Sequence, residues 1–418
     1  MPDRRQFLQT LAAGAAISLL PGLVRAAGRQ ARVVVVGGGY AGATAAKYLR
    51  LWGGEALEVV LIERNARFIS CPLSNLVLGG SKTLGELTFG YTGLEAHGVR
   101  LVQDEVTAID PAAHKLTLAH GEIGYDRLLL APGIDLIYDE LPMLQSVAAQ
   151  DAVPHAWKAG PQTLALRHQL QAMRDGGVFA LTVPLAPYRC PPGPYERVSQ
   201  VAWYLKQHKP RSKILVLDAN PEIVSKKGLF TQAWADLYPG MVEYRANSPV
   251  MAVDVATRRV STEFEQVPAD VLNLIPPQRA GLPAQMIGAH NVNKRWCEVD
   301  FLSYESKVVP GVHIIGDAVS AALPKSAHMA NSQAKVCAAA IISLLRGEAP
   351  DPAPVFANTC YSFVSDKLAM HVAHVYRYDP AKQAMLPADG GGVSERPSEQ
   401  EGSYAQWWAK NIWSDVLG

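Results

Sequence analysis

The 418-residue sequence predicts an α/β fold with two dinucleotide-binding domains and a C-terminal α+β domain. Three observations indicate this fold class. A glycine-rich loop near the N-terminus lies between a strand-like and a helix-like segment. Two apolar segments, residues 177–183 and 213–217, are typical of strands in a second domain of the same kind. A third, residues 312–318, contains Gly-Asp and returns the chain to the first domain.

The composition excludes several classes of protein. Apolar residues make up 49% and charged residues 18%, which excludes a disordered chain. With 39 basic and 38 acidic side chains, the net charge of +1 argues against a nucleic-acid-binding protein. Five cysteines are too few for a disulfide scaffold, and because their number is odd, at least one must serve another purpose.

Residues 1–27 are predicted to be a twin-arginine signal peptide. Arg4 and Arg5 precede Phe7 and an apolar run over residues 11–20. That run is about half of the ~20 residues needed to span a bilayer. An N-terminal helix retained by the mature chain is the alternative. The expectation is therefore a periplasmic protein, and the sequence shows no other apolar stretch long enough for a membrane span.

The N-terminal glycine loop belongs to a complete dinucleotide-binding unit. Its parts are a strand over Ala31–Val36, the loop 37–42, a helix over 43–52, a strand over Leu57–Ile62 and, directly after it, Glu63. Gly37, Gly39 and Gly42 allow a tight turn and let backbone N–H groups approach a pyrophosphate at the helix N-terminus. Glu63 is placed to hold the ribose hydroxyls of an adenosine.

Two later regions favour FAD as the dinucleotide. Asp317 follows the strand-like segment at 312–316, where related flavoproteins bind the ribityl or pyrophosphate part of FAD; a helix N-cap is the alternative role for Asp317. Short strands typical of a β-meander are expected at residues 99–102, 106–109, 115–119 and 125–130. The fold class is therefore a two-dinucleotide-binding-domain flavoprotein (glutathione-reductase-like).

The predicted boundaries make the FAD-binding domain discontinuous. It is expected to comprise residues 30–140 and 276–355, with a second, NAD-type domain at 141–275 and a C-terminal interface domain at 356–418. The second domain has no G-x-G-x-x-G after its first strand, and residues 184–197 contain five prolines instead. Because prolines remove backbone donors and stiffen a loop, this domain is predicted to have lost its nucleotide. NAD(P)H is therefore not the expected electron donor.

Three of the five cysteines lie in positions that suggest chemistry. Cys71 follows the strand that ends near Glu63, Cys190 lies in the proline-rich loop, and Cys360 follows the Gly-Asp segment. Cys297 and Cys337 are expected to be small buried apolar residues.

The sequence closely resembles the flavoprotein subunit of flavocytochrome c sulfide dehydrogenase over essentially the whole mature chain. The segments that carry the resemblance are 71–75 (CPLSN), 189–196 (RCPPGPYE), 225–230 (SKKGLF), 327–331 (AHMAN) and the tryptophan-rich tail 407–413. The resemblance implies that Cys71 holds FAD through a thioether to the flavin 8α carbon. It also implies a redox-active disulfide between Cys190 and Cys360, and a c-type cytochrome subunit as partner in a heterodimer. Since the chain has no Cys-x-x-Cys-His, any haem must lie on that partner.

The implied reaction is oxidation of hydrogen sulfide to elemental sulfur or polysulfide. Hydrosulfide would attack the disulfide, leaving a persulfide on one cysteine, and two electrons would pass to FAD and then to haem. The sequence leaves open which cysteine is attacked. Glu196 is a candidate acid–base group, with a solvated loop glutamate as the alternative. Lys325 is a candidate stabiliser of reduced flavin, with an ordinary surface lysine as the alternative.

Other functions remain open from the sequence. A sulfide:quinone oxidoreductase shares the fold and the cysteine chemistry, but residues 389–392 and 394–401 look polar and loop-like, which argues against a C-terminal membrane-binding helix pair. A non-catalytic flavin-binding protein and an NAD(P)H-dependent disulfide reductase are further alternatives. Trp407, Trp408 and Trp413 lie on an amphipathic segment and suit either core packing or a docking surface for the cytochrome.

Overall fold

The computed structural model describes residues 30–418, so the predicted signal peptide lies outside the described residues. The strands, in chain order, are β1 (Ala31–Val36), β2 (Leu57–Ile62), β3 (Phe68–Ile69), β4 (Thr88–Phe89), β5 (Arg100–Val102), β6 (Val106–Asp110), β7 (Lys115–Leu118), β8 (Gly121–Gly124), β9 (Arg127–Leu130), β10 (Ile134–Leu136), β11 (Val178–Val183), β12 (Lys213–Asp218), β13 (Val242–Arg245), β14 (Ala252–Asp254), β15 (Arg259–Ser261), β16 (Gln266–Pro268), β17 (Val271–Leu274), β18 (Gln278–Ala280), β19 (Val312–Ile314), β20 (Val355–Phe363), β21 (Ala369–Asp379) and β22 (Ala384–Val393).

Helices connect and cover these strands. In chain order they are α1 (Tyr40–Gly53), α2 (Asn75–Gly79), α3 (Thr92–Ala96), α4 (Val147–Ala152), α5 (Pro161–Ala172), α6 (Gly193–His208), α7 (Lys227–Leu237), α8 (Leu282–Met286), α9 (Ala327–Leu345) and α10 (Glu399–Leu417). Within residues 30–418, none of them combines the length and the apolar character that crossing a membrane requires.

The first domain is built on a parallel five-stranded sheet in the order β19–β9–β1–β2–β5. Val33, Val34 and Val35 of β1 are all fully buried, as expected for a strand covered on both faces. The carboxyl ends of β1, β2 and β19 meet at one edge of the sheet. The glycine loop, Glu63 and Asp317 follow these three strands, so the topology brings them together.

The predicted β-meander is only partly correct. The antiparallel meander consists of β6, β7 and β8, whereas β5 and β9 belong to the parallel sheet. The strand expected at 125–130 was wrong at its start, because β9 begins only at Arg127. The strand β8, which has glycine at both ends, was not predicted. Short apolar runs look alike in a hairpin and in a buried parallel sheet, which explains the error.

The second domain has its own parallel sheet, in the order β13–β12–β11–β17. The proline-rich loop leaves the carboxyl end of β11 and enters α6, so it occupies the position of a phosphate-binding loop. A small antiparallel sheet of β14, β15 and β16 adjoins this domain.

The C-terminal part is α+β, as expected, with an antiparallel sheet β20–β21–β22 and the helix α10. The prediction that residues 389–392 form a loop is wrong, because they lie in β22. Gly391 has φ +103°, and a Cβ there would lie 2.2 Å from the Ala373 carbonyl oxygen, so these glycines serve an irregular strand. Residues 394–401 are a loop only as far as Ser398, whose side chain accepts a hydrogen bond from the Glu401 N–H and caps α10.

Candidate functional site

One large cavity lies where the two sheets and β20 meet. Its volume is about 470 Å³. Eight of the ten predicted site residues line it: Gly39, Glu63, Cys71, Cys190, Glu196, Asp317, Lys325 and Cys360. Gly37 and Gly42 do not reach its wall and instead shape the turn behind it.

The glycine loop is shaped for a close backbone approach. Gly37 has φ +99°, and a Cβ on Gly42 would lie 1.8 Å from the Gly37 carbonyl oxygen, so neither position admits a larger residue. A Cβ added to Gly39 would meet no atom of residues 30–418 within 4 Å, which leaves this side of the loop open to the cavity. Glu63 accepts a hydrogen bond from the Gly38 N–H at 2.6 Å and so ties the carboxylate to the loop.

Asp317 also lines the cavity. It lies in a short 3-10 turn, Gly316–Ala318, and its Oδ1 is buried without a hydrogen-bond partner among the described residues. Burial raises the pKa of this carboxyl. The N-cap alternative is wrong for the long helix that follows, because Ser326 caps α9. An open glycine loop facing an unpartnered buried carboxyl fits FAD, whose ribityl hydroxyls can donate to Asp317.

Cys71 lies in a loop that is held by side-chain hydrogen bonds of the preceding residue, Ser70. Its thiol lines the cavity, and its carbonyl oxygen accepts from the Ser74 N–H at 3.0 Å. The preceding Ser70 contacts the Tyr40 hydroxyl at 2.7 Å and accepts from Trp413 Nε1 at 3.0 Å. These contacts hold the half-buried thiol in place at the cavity wall.

Cys190 enters the same cavity from the proline-rich loop. Its backbone is left-handed, with φ +59°, and its N–H donates to the Lys325 carbonyl oxygen at 2.7 Å. Burial raises the pKa of the Cys190 thiol, and the negative charge of a Cys360 thiolate raises it further. The two sulfurs therefore lie within electrostatic reach of one another.

Cys360 reaches the cavity from β20. Its Sγ lies 3.4 Å from the amide nitrogen of Asn358, and its carbonyl oxygen accepts from Lys226 Nζ at 2.9 Å. The structure describes all five cysteines as thiols. A disulfide between Cys190 and Cys360 therefore stays a prediction. Cys297 and Cys337 are fully buried, as expected.

Glu196 lies at the cavity wall, near the start of α6. Its carboxylate accepts from Asn75 Nδ2 at 2.8 Å and from the Phe363 N–H at 2.9 Å, and the residue is only 8% exposed. The alternative of a solvated loop glutamate is therefore wrong. Burial raises the pKa of this carboxyl, although both hydrogen bonds work against that shift. Because Phe363 lies on the Cys360 strand, Glu196 links the two cysteine-bearing elements.

Lys325 is a buried residue, so the surface-lysine alternative is also wrong. Its ammonium group donates to the carbonyl oxygens of Asp317 at 2.8 Å and Val319 at 2.7 Å. It also lies 3.7 Å from the centre of the Trp296 ring. Burial lowers the pKa of Lys325 to about 8. The predicted interaction with flavin stays a prediction.

Sequence reasoning did not single out several residues that support the site. Asn75, Asn358 and Lys226 contact the predicted site residues directly. Arg197, only 2% exposed, donates to Asn75 Oδ1 at 3.1 Å and completes the polar network around Glu196. A signal existed for three of these four residues. Asn75 and Lys226 lie in the 71–75 and 225–230 segments, and Asn358 is two residues from Cys360, on the same strand face.

In the second domain, the acidic residue at the ribose-binding position is hydrogen-bonded to side chains of the same domain. Asp218 ends β12, the place that Glu63 has after β2. Its Oδ2 accepts from the Tyr195 hydroxyl at 2.7 Å and the Tyr244 hydroxyl at 2.9 Å, and its Oδ1 accepts from Asn220 at 2.7 Å. A carboxylate so occupied has little capacity left for a nucleotide, which favours the prediction that this domain no longer binds one.

The tail tryptophans have different environments. Trp413 is packed and donates to the Tyr40 hydroxyl at 3.0 Å, and Trp408 lines the cavity. Trp407 is 63% exposed and lies beside Lys410. Packing therefore accounts for two of the three, and only Trp407 has the exposure that the docking alternative requires.

Three family models match this chain. They describe a pyridine nucleotide-disulphide oxidoreductase at residues 31–153, the central domain of the sulfide dehydrogenase [flavocytochrome c] flavoprotein chain at 163–276, and the flavin-binding domain of flavocytochrome c sulphide dehydrogenase at 352–417. The fold, the cavity and these matches define an FAD-binding oxidoreductase of the two-dinucleotide-domain class.

Individual relatives narrow that class. The sulfide dehydrogenase [flavocytochrome c] flavoprotein chain of Chlorobaculum thiosulfatiphilum is 52% identical over 46 residues, which cover 11% of this chain and 94% of that sequence. The mitochondrial sulfide:quinone oxidoreductase of Dictyostelium discoideum is 21% identical over 336 residues, 75% of this chain and 70% of that one. This chain belongs to the family of flavocytochrome c sulfide dehydrogenase flavoprotein chains.

Solved structures share the fold. The sulfide:quinone oxidoreductase of Aquifex aeolicus has a TM-score of 0.76 at 17% identity, over 93% of this chain and 91% of that one. A chain of the covalent putidaredoxin reductase–putidaredoxin complex has a TM-score of 0.65 at 17% identity, over 92% and 93%. At these identities the comparison concerns architecture alone.

Proposed function

We propose that this protein is a periplasmic sulfide dehydrogenase flavoprotein that oxidises hydrogen sulfide to elemental sulfur or polysulfide and passes the electrons to a c-type cytochrome subunit. The observation that carries the proposal is that Cys71, Cys190 and Cys360 all line the cavity of the dinucleotide loop. Membership of the family supports sulfide as the substrate and a cytochrome as the partner.

The chain's own residues supply the first chemical step. In the oxidised protein Cys190 and Cys360 form a disulfide, which hydrosulfide attacks in line. One sulfur keeps the incoming atom as a persulfide, and the other leaves as a thiolate. Glu196 links the elements that carry the two cysteines and is the proposed acid–base group, with its pKa raised by burial.

FAD fits the open side of the glycine loop and, when bound, supplies a two-electron acceptor that can release electrons singly. Gly39, Glu63 and Asp317 would hold it through the dinucleotide and ribityl groups. Cys71 would fix it covalently through a thioether, and Lys325 would offset negative charge on the reduced ring. Haem would lie on the partner subunit, because this chain has no Cys-x-x-Cys-His.

The choice of electron acceptor tests the proposal. Sulfide-dependent reduction of a c-type cytochrome and of a ubiquinone analogue should be measured on the same purified protein at equal sulfide concentration. We expect the cytochrome to be reduced faster. Faster reduction of the quinone would instead identify a sulfide:quinone oxidoreductase, the second candidate, which the 75% coverage by the Dictyostelium enzyme favours.

A further inference from the structure

We infer that hydrosulfide attacks the Sγ atom of Cys190, and that Cys360 leaves as a thiolate stabilised by the side-chain amide of Asn358. The inference rests on the proposed sulfide oxidation through a Cys190–Cys360 disulfide. In thiol–disulfide exchange, the sulfur that is better stabilised as a thiolate leaves faster. The surroundings of the two sulfurs therefore decide which one is attacked.

The side-chain amide of Asn358 is placed to donate a hydrogen bond to Cys360 Sγ. The two residues lie two apart on β20, and Asn358 Nδ2 lies 3.4 Å from Cys360 Sγ. Asn358 is only 2% exposed, so its amide is held in place by its neighbours. An N–H group directed at sulfur favours the charged form of that sulfur.

A second contact fixes the orientation of that amide. Asn358 Oδ1 accepts from the Ser326 hydroxyl at 2.5 Å, while Ser326 Oγ accepts from the Met329 N–H at 3.1 Å as the cap of α9. Because Ser326 Oγ accepts a hydrogen bond from the Met329 N–H, its own hydroxyl hydrogen is free to point at Asn358 Oδ1. The amide therefore turns its NH₂ group toward Cys360.

A positively charged side chain, Lys226, also contacts the Cys360 segment. The half-buried Lys226 donates from its ammonium group to the Cys360 carbonyl oxygen at 2.9 Å and to Ser362 Oγ at 2.8 Å. A nearby cation lowers the cost of forming a thiolate. Cys360 therefore has both a hydrogen-bond donor and a cation beside it.

Cys190 has weaker support for a negative charge. It precedes α6, and a helix N-terminus normally stabilises a thiolate. Here, however, Pro192 and Pro194 have no N–H, and the Gly193 N–H donates to the Cys190 carbonyl oxygen at 2.8 Å. Burial and the charges of Cys360 and Glu196 raise the pKa of the Cys190 thiol, with Arg189 acting against them. Arg197 and Lys226 also lie within electrostatic reach of Cys190, but the pKa of its thiol is still raised. Cys190 is therefore the poorer leaving group.

The step balances without a further reagent. A bond forms between the hydrosulfide sulfur and Cys190 Sγ as the bond between Cys190 and Cys360 breaks. The products are a persulfide on Cys190, which keeps the hydrosulfide proton, and a thiolate on Cys360. Sulfide is oxidised, Cys360 Sγ is reduced, and one negative charge moves from hydrosulfide to Cys360.

Rapid trapping tests the assignment on the oxidised holoprotein. One equivalent of sulfide is mixed with it anaerobically, the thiols are alkylated within milliseconds, and trypsin is added. Cleavage after Arg189 and Arg197 isolates Cys190 in peptide 190–197, and Cys360 lies in peptide 347–367. We expect one extra sulfur atom on peptide 190–197 and a singly alkylated Cys360.

The other outcomes separate the inference from the proposed function. An extra sulfur on peptide 347–367 would overturn the assignment to Cys190 while leaving the disulfide mechanism in place. No extra sulfur on either peptide, despite bleaching of the flavin by sulfide, would contradict the disulfide mechanism and the assignment with it.

Variants of Asn358 test the leaving group separately. Asn358→Ala removes the hydrogen-bond donor. Asn358→Asp keeps the size of the side chain but places a negatively charged carboxylate beside Cys360. In the reduced protein, both should shift alkylation of Cys360 to higher pH, and both should slow sulfide-dependent persulfide formation by about tenfold or more. Asn291→Ala, at an exposed amide, is the control. An unchanged alkylation profile in both Asn358 variants would overturn the role of Asn358.

Discussion

Lys226 is half-buried and places its ammonium group against the backbone of Cys360. Its left-handed conformation, with φ +55°, precedes α7 and directs the side chain to the Cys360 carbonyl and the Ser362 hydroxyl. Burial lowers the pKa of Lys226 to about 8, although the charges of Cys360 and Glu196 act in the opposite direction. The positive charge is therefore present at neutral pH and is lost as the pH rises through about 8.

Replacing Lys226 should weaken the sulfide reaction. We expect Lys226→Met to slow sulfide-dependent flavin bleaching about tenfold, because the Cys360 thiolate loses a neighbouring cation. The wild-type rate should also fall as pH rises through about 8, because Lys226 loses its charge there. The Lys226→Met variant should not show this fall. Lys227→Met is the matched control, since Lys227 is exposed and forms an ion pair with Glu222 at 2.7 Å. Equal rates and pH profiles in both variants would contradict the role of Lys226.

Cys71 allows a test that does not depend on turnover. If it holds FAD through a thioether, acid-denatured protein should keep its flavin absorbance after filtration, and Cys71→Ser should release all of it. Cys337→Ala, at a fully buried thiol, is the control and should retain the flavin. Complete release from the wild-type protein would show that the covalent bond is absent.

The positions of single residues were predictable where a motif has a fixed spacing. Gly37, Gly42 and Glu63 could be placed because strand, turn and acid follow each other at set intervals, and Asp317 because it follows an apolar strand. Their roles in FAD binding stay predictions. For Asn358 and Lys226 the sequence offered only their positions, because their roles come from contacts with Ser326 and Cys360 that only the folded chain creates. The burial of Glu196 and Lys325 was equally invisible, since charged residues are rarely buried and sequence alone favours exposure.

At the scale of elements, helix α10 is fastened to the first domain by a cluster around Asp415. This carboxylate accepts from Tyr48 at 2.6 Å, Asn331 at 2.7 Å and Lys335 at 2.8 Å. Lys47 in α1 donates to the backbone carbonyl oxygen of the same residue at 3.0 Å. The C-terminal helix is thereby fixed to α1 and α9, which carry the glycine loop and the cavity wall.

Removing the Asp415 carboxylate should destabilise the fold. Asp415→Ala leaves three donors without their acceptor, so we expect a loss of about 1–3 kcal/mol in the free energy of unfolding by urea. Asp236→Ala, at an exposed position on α7, is the control and should change it by less than about 0.5 kcal/mol.

The loss of unfolding free energy caused by Asp415→Ala should also depend on pH. Burial alone would raise the pKa of Asp415, but the hydrogen bonds from Lys335, Tyr48 and Asn331 hold it below the ordinary value. A carboxyl with a lowered pKa contributes stability above its unfolded pKa of about 4 and loses it as pH falls through the folded value. The gap between wild type and Asp415→Ala should therefore narrow below about pH 4, and a constant gap would contradict the charge-based explanation.

Elements with a strong hydrophobic pattern were predictable, and irregular ones were not. The buried strands β1, β2, β11 and β12 match the expected segments to within a residue. Residues 389–392 were predicted to form a loop because glycine usually weakens or ends a strand. In the structure Gly390 lies within a register shift of β22, and Gly391 and Gly392 pair with β21 after it. Pairing partners, which separate β5 and β9 from the meander, are long-range and leave no local signal.

The whole molecule combines a working dinucleotide domain with one whose nucleotide position is filled from within. Tyr195 and Tyr244 satisfy Asp218 in the second domain, and the loop that would cradle a phosphate instead brings Cys190 to the cavity. Cys360 arrives from the C-terminal sheet, and Glu196 joins the two segments. The cavity therefore offers a pair of cysteines at the place where a nicotinamide would otherwise deliver electrons.

In the proposed reaction, sulfide delivers its electrons through Cys190 and Cys360. The direct measurement is an anaerobic titration of the oxidised protein with sulfide, followed by flavin absorbance, in the wild type, Cys190→Ser, Cys360→Ser and the buried control Cys337→Ala. We expect bleaching with sulfide in the wild type and the control, and at least a hundredfold slower bleaching in the two serine variants, because serine cannot form the disulfide that sulfide attacks. Full-rate bleaching in either serine variant would contradict electron transfer through the Cys190–Cys360 disulfide.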